Sequence, residues 1–199
     1  MTRKKHLYYI IHKPYKVLSQ FTAEDGNPGL GTIYQLPRDV YPVGRLDLDS
    51  EGLLILTNNK RLNHELLDPT KGHQRTYWVE VDGYPDTTAL ARLSNGVDIS
   101  INGKKHHTKK AKVSVITPQV HDRTPPVNIK KHPLRTWLQT SLTEGKNRQI
   151  RRMTASVGHP TLRLIRVAIE SLSLEPLQAG DITQVSEKVI FKKLNLSHK

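Results

Sequence analysis

GRLDLDSEGLLILTN, residues 44–58, changes character partway along. Arg45, Asp47, Asp49 and Glu51 alternate with small and apolar residues, and Leu53-Leu54-Ile55-Leu56 then runs straight into Thr57-Asn58. A short aliphatic run bounded by polar residues reads as a strand covered on both faces. The acids before it have three readings. Asp47, Asp49, Glu51 and Gly52 copy the start of an EF-hand calcium loop, but Asn58 stands where the bidentate glutamate belongs, and strand rather than helix follows. A turn accounts for Asp49, Ser50, Glu51 and Gly52. Arg45 and Asp47, two positions apart in an extended segment, point the same way, so a guanidinium and a carboxylate would face one pocket.

The rest of the chain puts that pocket in a basic protein. It has 199 residues and a formal net charge of +13, a surplus that favours a polyanionic partner, nucleic acid first. The length suits one domain, or two small lobes sharing one sheet. There is no cysteine, so disulfides and thiolate zinc sites are excluded. The apolar run of residues 7–11 is too short for a signal-peptide core, and no stretch reaches membrane-spanning length. The expectation is a cytoplasmic protein with no membrane association, working as a monomer. His106-His107 is a weak metal candidate, because adjacent side chains point apart; a solvated basic loop is the expectation there.

Outward from the opening stretch, residues 7–11 read as a strand, Gly26-Asn27-Pro28-Gly29 as a turn, and residues 63–67 as a short helix stopped at Asp68-Pro69. QRTYWVEVD, residues 74–82, alternates, with Tyr77, Val79 and Val81 on one face and Trp78, Glu80 and Asp82 on the other. Residues 85–96 read as a helix capped by Asp86 or Thr87 and ended by Gly96. Residues 97–101, 112–116, 136–142 and 162–169 read as strands, and 146–157 as a helix with Ile150, Met153 and Val157 on its apolar face. Residues 121–133 (HDRTPPVNIKKHP) read as a basic, proline-rich surface loop. Strands outnumber helices, which points to an α+β fold with a mixed, mainly antiparallel, curved sheet and flanking helices. Thirteen lysines and arginines lie between Lys104 and Arg152, opposed only by Asp122 and Glu144. Gathered on one surface, they would make salt-sensitive phosphate contacts.

Four stretches carry a resemblance. GRLDLDSEGLLILTN resembles the catalytic motif of the pseudouridine synthases, in the branch that acts on bacterial ribosomal RNA. HKPYKVLSQ (12–20) resembles that family's early Lys-Pro motif, RTYWVEV (75–81) its tyrosine strand, and EGKNRQIRRMTASVGHPTLRLIRV (144–167) its arginine-rich motif. Most members of the branch begin with a small RNA-binding module of the S4 type, and the expectation here is a chain without one. That feature and PPVNIKKHPLRTW (125–137) make a large-subunit (23S) target the expectation, with a small-subunit target the rival.

The resemblance implies an isomerase that turns uridine into its C-glycoside, with no cofactor and no metal. It implies Asp47 as the catalytic carboxylate, Tyr77 as the active-site ring and Arg151 as the partner of the aspartate. The residues alone leave Arg148 open for that last role. Arg45 matches the residue that fills the gap left by the flipped nucleotide. Lys146, Arg148 and Arg152 are expected on RNA backbone. The rival function is a non-catalytic rRNA-binding or ribosome-assembly factor using the same basic surface.

Overall fold

Tyr8–Lys13 forms β1, Tyr41–Pro42 β2 and Glu51–Thr57 β3. All seven residues of β3 are buried, so the strand reading of 53–56 holds and extends back through Glu51. Glu51 is therefore a buried strand residue and not part of a turn. The turn is Asp47–Ser50, closed by the Ser50 N–H donating to the Asp47 carbonyl at 3.0 Å.

The computed structural model describes residues 5–197, and the chain divides into two units. The first runs through His73 and resumes at Arg166; the second is Gln74–Ile165.

In the first unit β1 pairs antiparallel with β3 across Ile11↔Leu54 and Tyr9↔Leu56. Alternation then sorts the side chains. Ile11, Leu54 and Leu56 join Val17, Leu30, Tyr34, Val40 and Leu46 in one core. Each such aliphatic side chain contributes about 1.5–3 kcal/mol relative to exposure. Tyr8 faces the other way, toward Lys60–Leu67 (α1) and Glu187–Lys193 (α4): its hydroxyl donates to Glu187 at 2.8 Å and accepts from the cap residue Asn59 at 2.7 Å, and its ring meets Phe191 edge-on. Asn59 also takes the N–H groups of Arg61 and Leu62, which starts α1 a turn earlier than the sequence pattern suggests. The turn expected at 26–29 sits two residues earlier, at 24–27, with its central residues Asp25 and Gly26 both at positive φ.

The second unit has Arg75–Asp82 (β4), Thr87–Asn95 (α2), Asp98–Ile101 (β5), Lys104–His107 (β6), Lys112–Ile116 (β7), Arg135–Leu142 (β8) and Gln149–Ser156 (α3). β4 pairs antiparallel with β8, and β8 with β7. Val79, Val81, Leu138, Leu142, Ile150, Met153 and Leu164 share its core, with Tyr77 packed at the margin. Asp86 caps α2 by accepting from the Ala89 N–H at 2.7 Å, and Gly96 ends the helix. β5 and β6 form a separate hairpin turned by Asn102-Gly103, both at positive φ. His106 and His107 thus lie in a strand and not in a loop, because the Asn-Gly pair before them is a hairpin turn.

Residues 117–134 hold no helix or strand. They lie on the side of β4 away from that core. Arg163 donates to the His121 carbonyl at 2.8 Å and stacks over Trp137, His132 meets Asp82 at 3.0 Å, and Arg135 meets the buried Glu80 at 2.8 Å. Burial raises the Glu80 carboxyl, and the Arg135 and Arg163 guanidiniums work against that rise.

Thr161–Ile169 (β9) carries the chain from the second unit back to the first, and Leu172–Ser173 (β10) and Ile182–Gln184 (β11) complete the strands, β11 pairing with β1. Among the described residues, β1 with β3 and β11, β2 with β3, β4 and β7 with β8, β5 with β6 and β9 with β10 all pair antiparallel, as a mainly antiparallel α+β fold requires. No described helix is long and apolar enough to cross a membrane.

Candidate active site

The segment 44–50 has no regular structure, yet it is held at close intervals. Leu46 is buried in the first core, between an exposed Arg45 and a half-buried Asp47. The residues on either side of Asp47 are both tied to the loop that follows β1. The Leu46 N–H donates to the Ser19 hydroxyl at 2.9 Å, and that hydroxyl donates to the Leu46 carbonyl at 2.7 Å. The Leu48 carbonyl accepts from the Lys16 N–H at 2.9 Å. With its own carbonyl closing the turn to Ser50, the Asp47 backbone has little freedom. A carboxylate on so restrained a backbone is pre-positioned for chemistry.

Lys13 is the lysine of the Lys-Pro stretch, and the motif alone does not say what its side chain does. It is fully buried, and its ammonium donates to the carbonyls of Pro14 and Val17 at 2.9 and 2.7 Å, closing that loop on itself. Burial pulls its pKa down to about 8, while the carboxylates of Glu51, Asp49 and Asp47 resist the fall. The acids of the opening stretch therefore share one function besides any individual ones: they compensate a buried cation. β3 begins where the chain must pass β9, and Gly52, at φ +107, sits where a Cβ would overlap the Arg166 backbone. Arg166, itself buried, donates through Nε to the Leu53 carbonyl at 2.8 Å. The metal reading finds no support among the described residues, where no group of three or more His, Cys, Asp or Glu could hold an ion.

The other expected residues belong to the second unit. Tyr77 is half-buried on β4, opposite Thr140, on the same face as Val79 and Val81. Arg151 is half-buried on α3, with Nη1 3.5 Å from the Thr161 carbonyl. Arg148 is not on the helix with it. It sits before the first helical residue at φ +50, so the expected helix loses its first turn and the two arginines do not share a helical face. Lys146 and Arg148 are exposed. Arg152 is a clamp: it donates to the Asn147 carbonyl at 3.1 Å, to the Asn147 side chain and to the Ser100 carbonyl. Glu144, in the sequence only one of two acids in a basic run, accepts from three groups of the protein.

The sequence matches the RNA pseudouridylate synthase family over residues 7–156. It is 47% identical over 173 residues to ribosomal large subunit pseudouridine synthase E of Xanthomonas campestris pv. campestris, covering 86% of this chain and 91% of that one. It is 45% identical over 177 residues to the protein of the same name from Vibrio parahaemolyticus, covering 88% and 72%. Its fold is similar to a pseudouridylate synthase crystal structure, with a TM-score of 0.76 at 24% identity over 98% of this chain and 76% of that one.

Proposed function

The chain belongs to the RNA pseudouridylate synthase family, and from that premise we propose that it isomerises a specific uridine of large-subunit (23S) ribosomal RNA, with Asp47 as the catalytic carboxylate. The two relatives named for large-subunit rRNA support the target. The observation that carries the assignment of Asp47 is its restrained turn, tied at Leu46 and Leu48 and placed directly before a fully buried strand.

The reaction breaks the N1–C1′ bond of uridine, turns the uracil and joins its C5 to C1′, with the C5 proton lost and N1 protonated. No atom is imported. Asp47 must be ionised to attack or to take a proton. C1′ and C5 are inaccessible in a stacked helix, so the nucleotide is extracted, at a cost on the order of a few kcal/mol. Arg45, exposed and two residues from Asp47, fills the vacated place with a planar cation. Tyr77 stacks on the extracted uracil, and Arg151 is the partner of the aspartate; both roles rest on the family resemblance. Lys146 and Arg148 grip RNA phosphates, with Arg152 acting behind them through the loop it clamps. Selection would rest on RNA shape and unstacked bases. The protein would work as a monomer in the cytoplasm, on free rRNA or an assembly intermediate.

Asp47→Asn separates this from RNA binding without catalysis. The variant should bind 23S rRNA transcript as the parent does and form no pseudouridine. Retained activity on purified transcript would end the assignment.

A further inference from the structure

Glu144 lies near the start of the loop that leads from β8 to α3, and its side chain is only 8% exposed. Its carboxylate is shared among three elements. Oε1 accepts from the Lys109 backbone N–H at 2.8 Å and from the Gln149 amide at 2.6 Å, and Oε2 lies 3.3 Å from His106 Nε2. Gln149 is also buried, and its other amide atom accepts from the Lys146 N–H at 2.9 Å. One acid thus fixes, through one glutamine, the backbone that carries Lys146 and Arg148.

That backbone needs fixing. Arg148 is in the left-handed region, which costs a non-glycine residue roughly 1 kcal/mol or more and persists only where the surroundings impose it. Its neighbours are held on both sides: the Lys146 carbonyl accepts from the Gln149 N–H at 3.1 Å, and the Asn147 carbonyl from Arg152. Many cations of this region are exposed lysines. Lys146 and Arg148 instead stand on a turn set before RNA arrives, so less ordering is left to be done on binding.

We propose that Glu144 is a positioning residue for the RNA grip: it pre-forms the Lys146–Arg148 turn, so that two cations meet phosphates in a fixed geometry. The inference rests on the reading that these two residues contact RNA backbone. A carboxylate on an RNA-binding surface repels phosphate, so a simple charge argument expects its removal to strengthen binding. The positioning role expects the opposite.

The test is a double-mutant cycle on the full chain, using unmodified 23S rRNA transcript and reading Kd over a range of salt, with KM and kcat for pseudouridine formation. Glu144→Ala should raise Kd and KM about tenfold, leave kcat within about threefold, and flatten the salt dependence by about one unit of slope, as loss of one phosphate contact does. Arg148→Ala should weaken binding in the parent background and add almost nothing in Glu144→Ala. Glu144→Gln, which keeps an acceptor for Lys109 and carries the test should the Ala variant fail to fold, should restore affinity to within about threefold of the parent. If Arg148→Ala costs the same in both backgrounds, or Glu144→Ala binds as well as or better than the parent, the positioning role is wrong. If neither Lys146→Ala nor Arg148→Ala affects Kd or the salt slope, the phosphate-grip reading fails and takes this inference with it.

Discussion

Two loops of this protein are built as electrostatic opposites. In the first unit, the carboxylates of Glu51, Asp49 and Asp47 act through space on the buried ammonium of Lys13. In the second, the turn carrying Lys146 and Arg148 is tied to the nearly buried carboxylate of Glu144. Each loop presents one sign of charge and is braced by the other. The reach differs. Lys13 bonds carbonyls within four residues of itself, so it shapes its own loop and reaches the acids through space. Glu144 holds Lys109 and His106, 35 and 38 residues away, so it fastens separate elements together. An ammonium can only donate, and here it finds the carbonyls of its own bend; a carboxylate only accepts, and collects N–H groups from elsewhere. Removing the first should alter the energetics of a site, and removing the second its geometry.

The largest effect expected is at the carboxylate that the first loop displays. Asp47→Asn should reduce pseudouridine formation on the order of 10⁴-fold or more, as loss of a residue acting directly on substrate does. Melting temperature and rRNA affinity should barely change, as calorimetry and filter binding would report. A large fall in stability would show that Asp47 serves Lys13 more than it serves substrate.

Lys13 itself separates the two loops by pH. Its folded pKa is about 8 against an unfolded value of 10.5. Between those values the unfolded chain holds a proton that the folded chain has released, so stability rises with pH across that window, by about 3 kcal/mol in total. Below pH 8 the fold carries the full cost of the buried charge. Urea unfolding of Lys13→Met beside the parent from pH 7 to 10 should show the parent gaining relative to the variant as pH rises. Parallel profiles would mean that the ammonium is solvated.

Arg45→Ala removes an exposed cation without touching either brace, and should lower kcat about tenfold or more while raising Kd only a few-fold. An effect confined to Kd and its salt slope would reduce Arg45 to a phosphate contact. The smallest effect belongs to Arg152→Ala. It loses the bonds to Asn147 and Ser100 and should cost about 1 kcal/mol of stability, with a two- to threefold loss of rRNA affinity. An affinity loss as large as that of Arg148→Ala would show that Arg152 meets phosphate directly.

Much of this is legible in the residues. A continuous apolar run places β3, which is covered on both faces, and alternation of apolar and polar positions places β4, because a strand's faces repeat every two residues. Capping chemistry places α2, since Asp86 and Gly96 satisfy helix ends locally. The motif around Asp47 points to the family through residues that lie next to one another in the chain. The C-terminal elements β10 and β11 carry no such local signal, and α4 carries only the Ser186 cap, which does not say where the helix packs. α4 is anchored through Tyr8 and Phe191, and β11 through pairing with β1, partners that lie far away in sequence.

The sequence by itself determined the fold class and the preference of a basic chain for a polyanionic partner, and it singled out the aspartate as the catalytic candidate, because composition, period-two patterning and a contiguous motif are local properties. Tertiary structure decided what each charge does. It buried Lys13 within the field of the acids, took Arg148 off the helix and made Arg152 a clamp. It turned Glu144, one acid in a basic run, into the point where three elements meet. Burial and hydrogen-bond partners set those roles, and both depend on which distant segments are brought alongside.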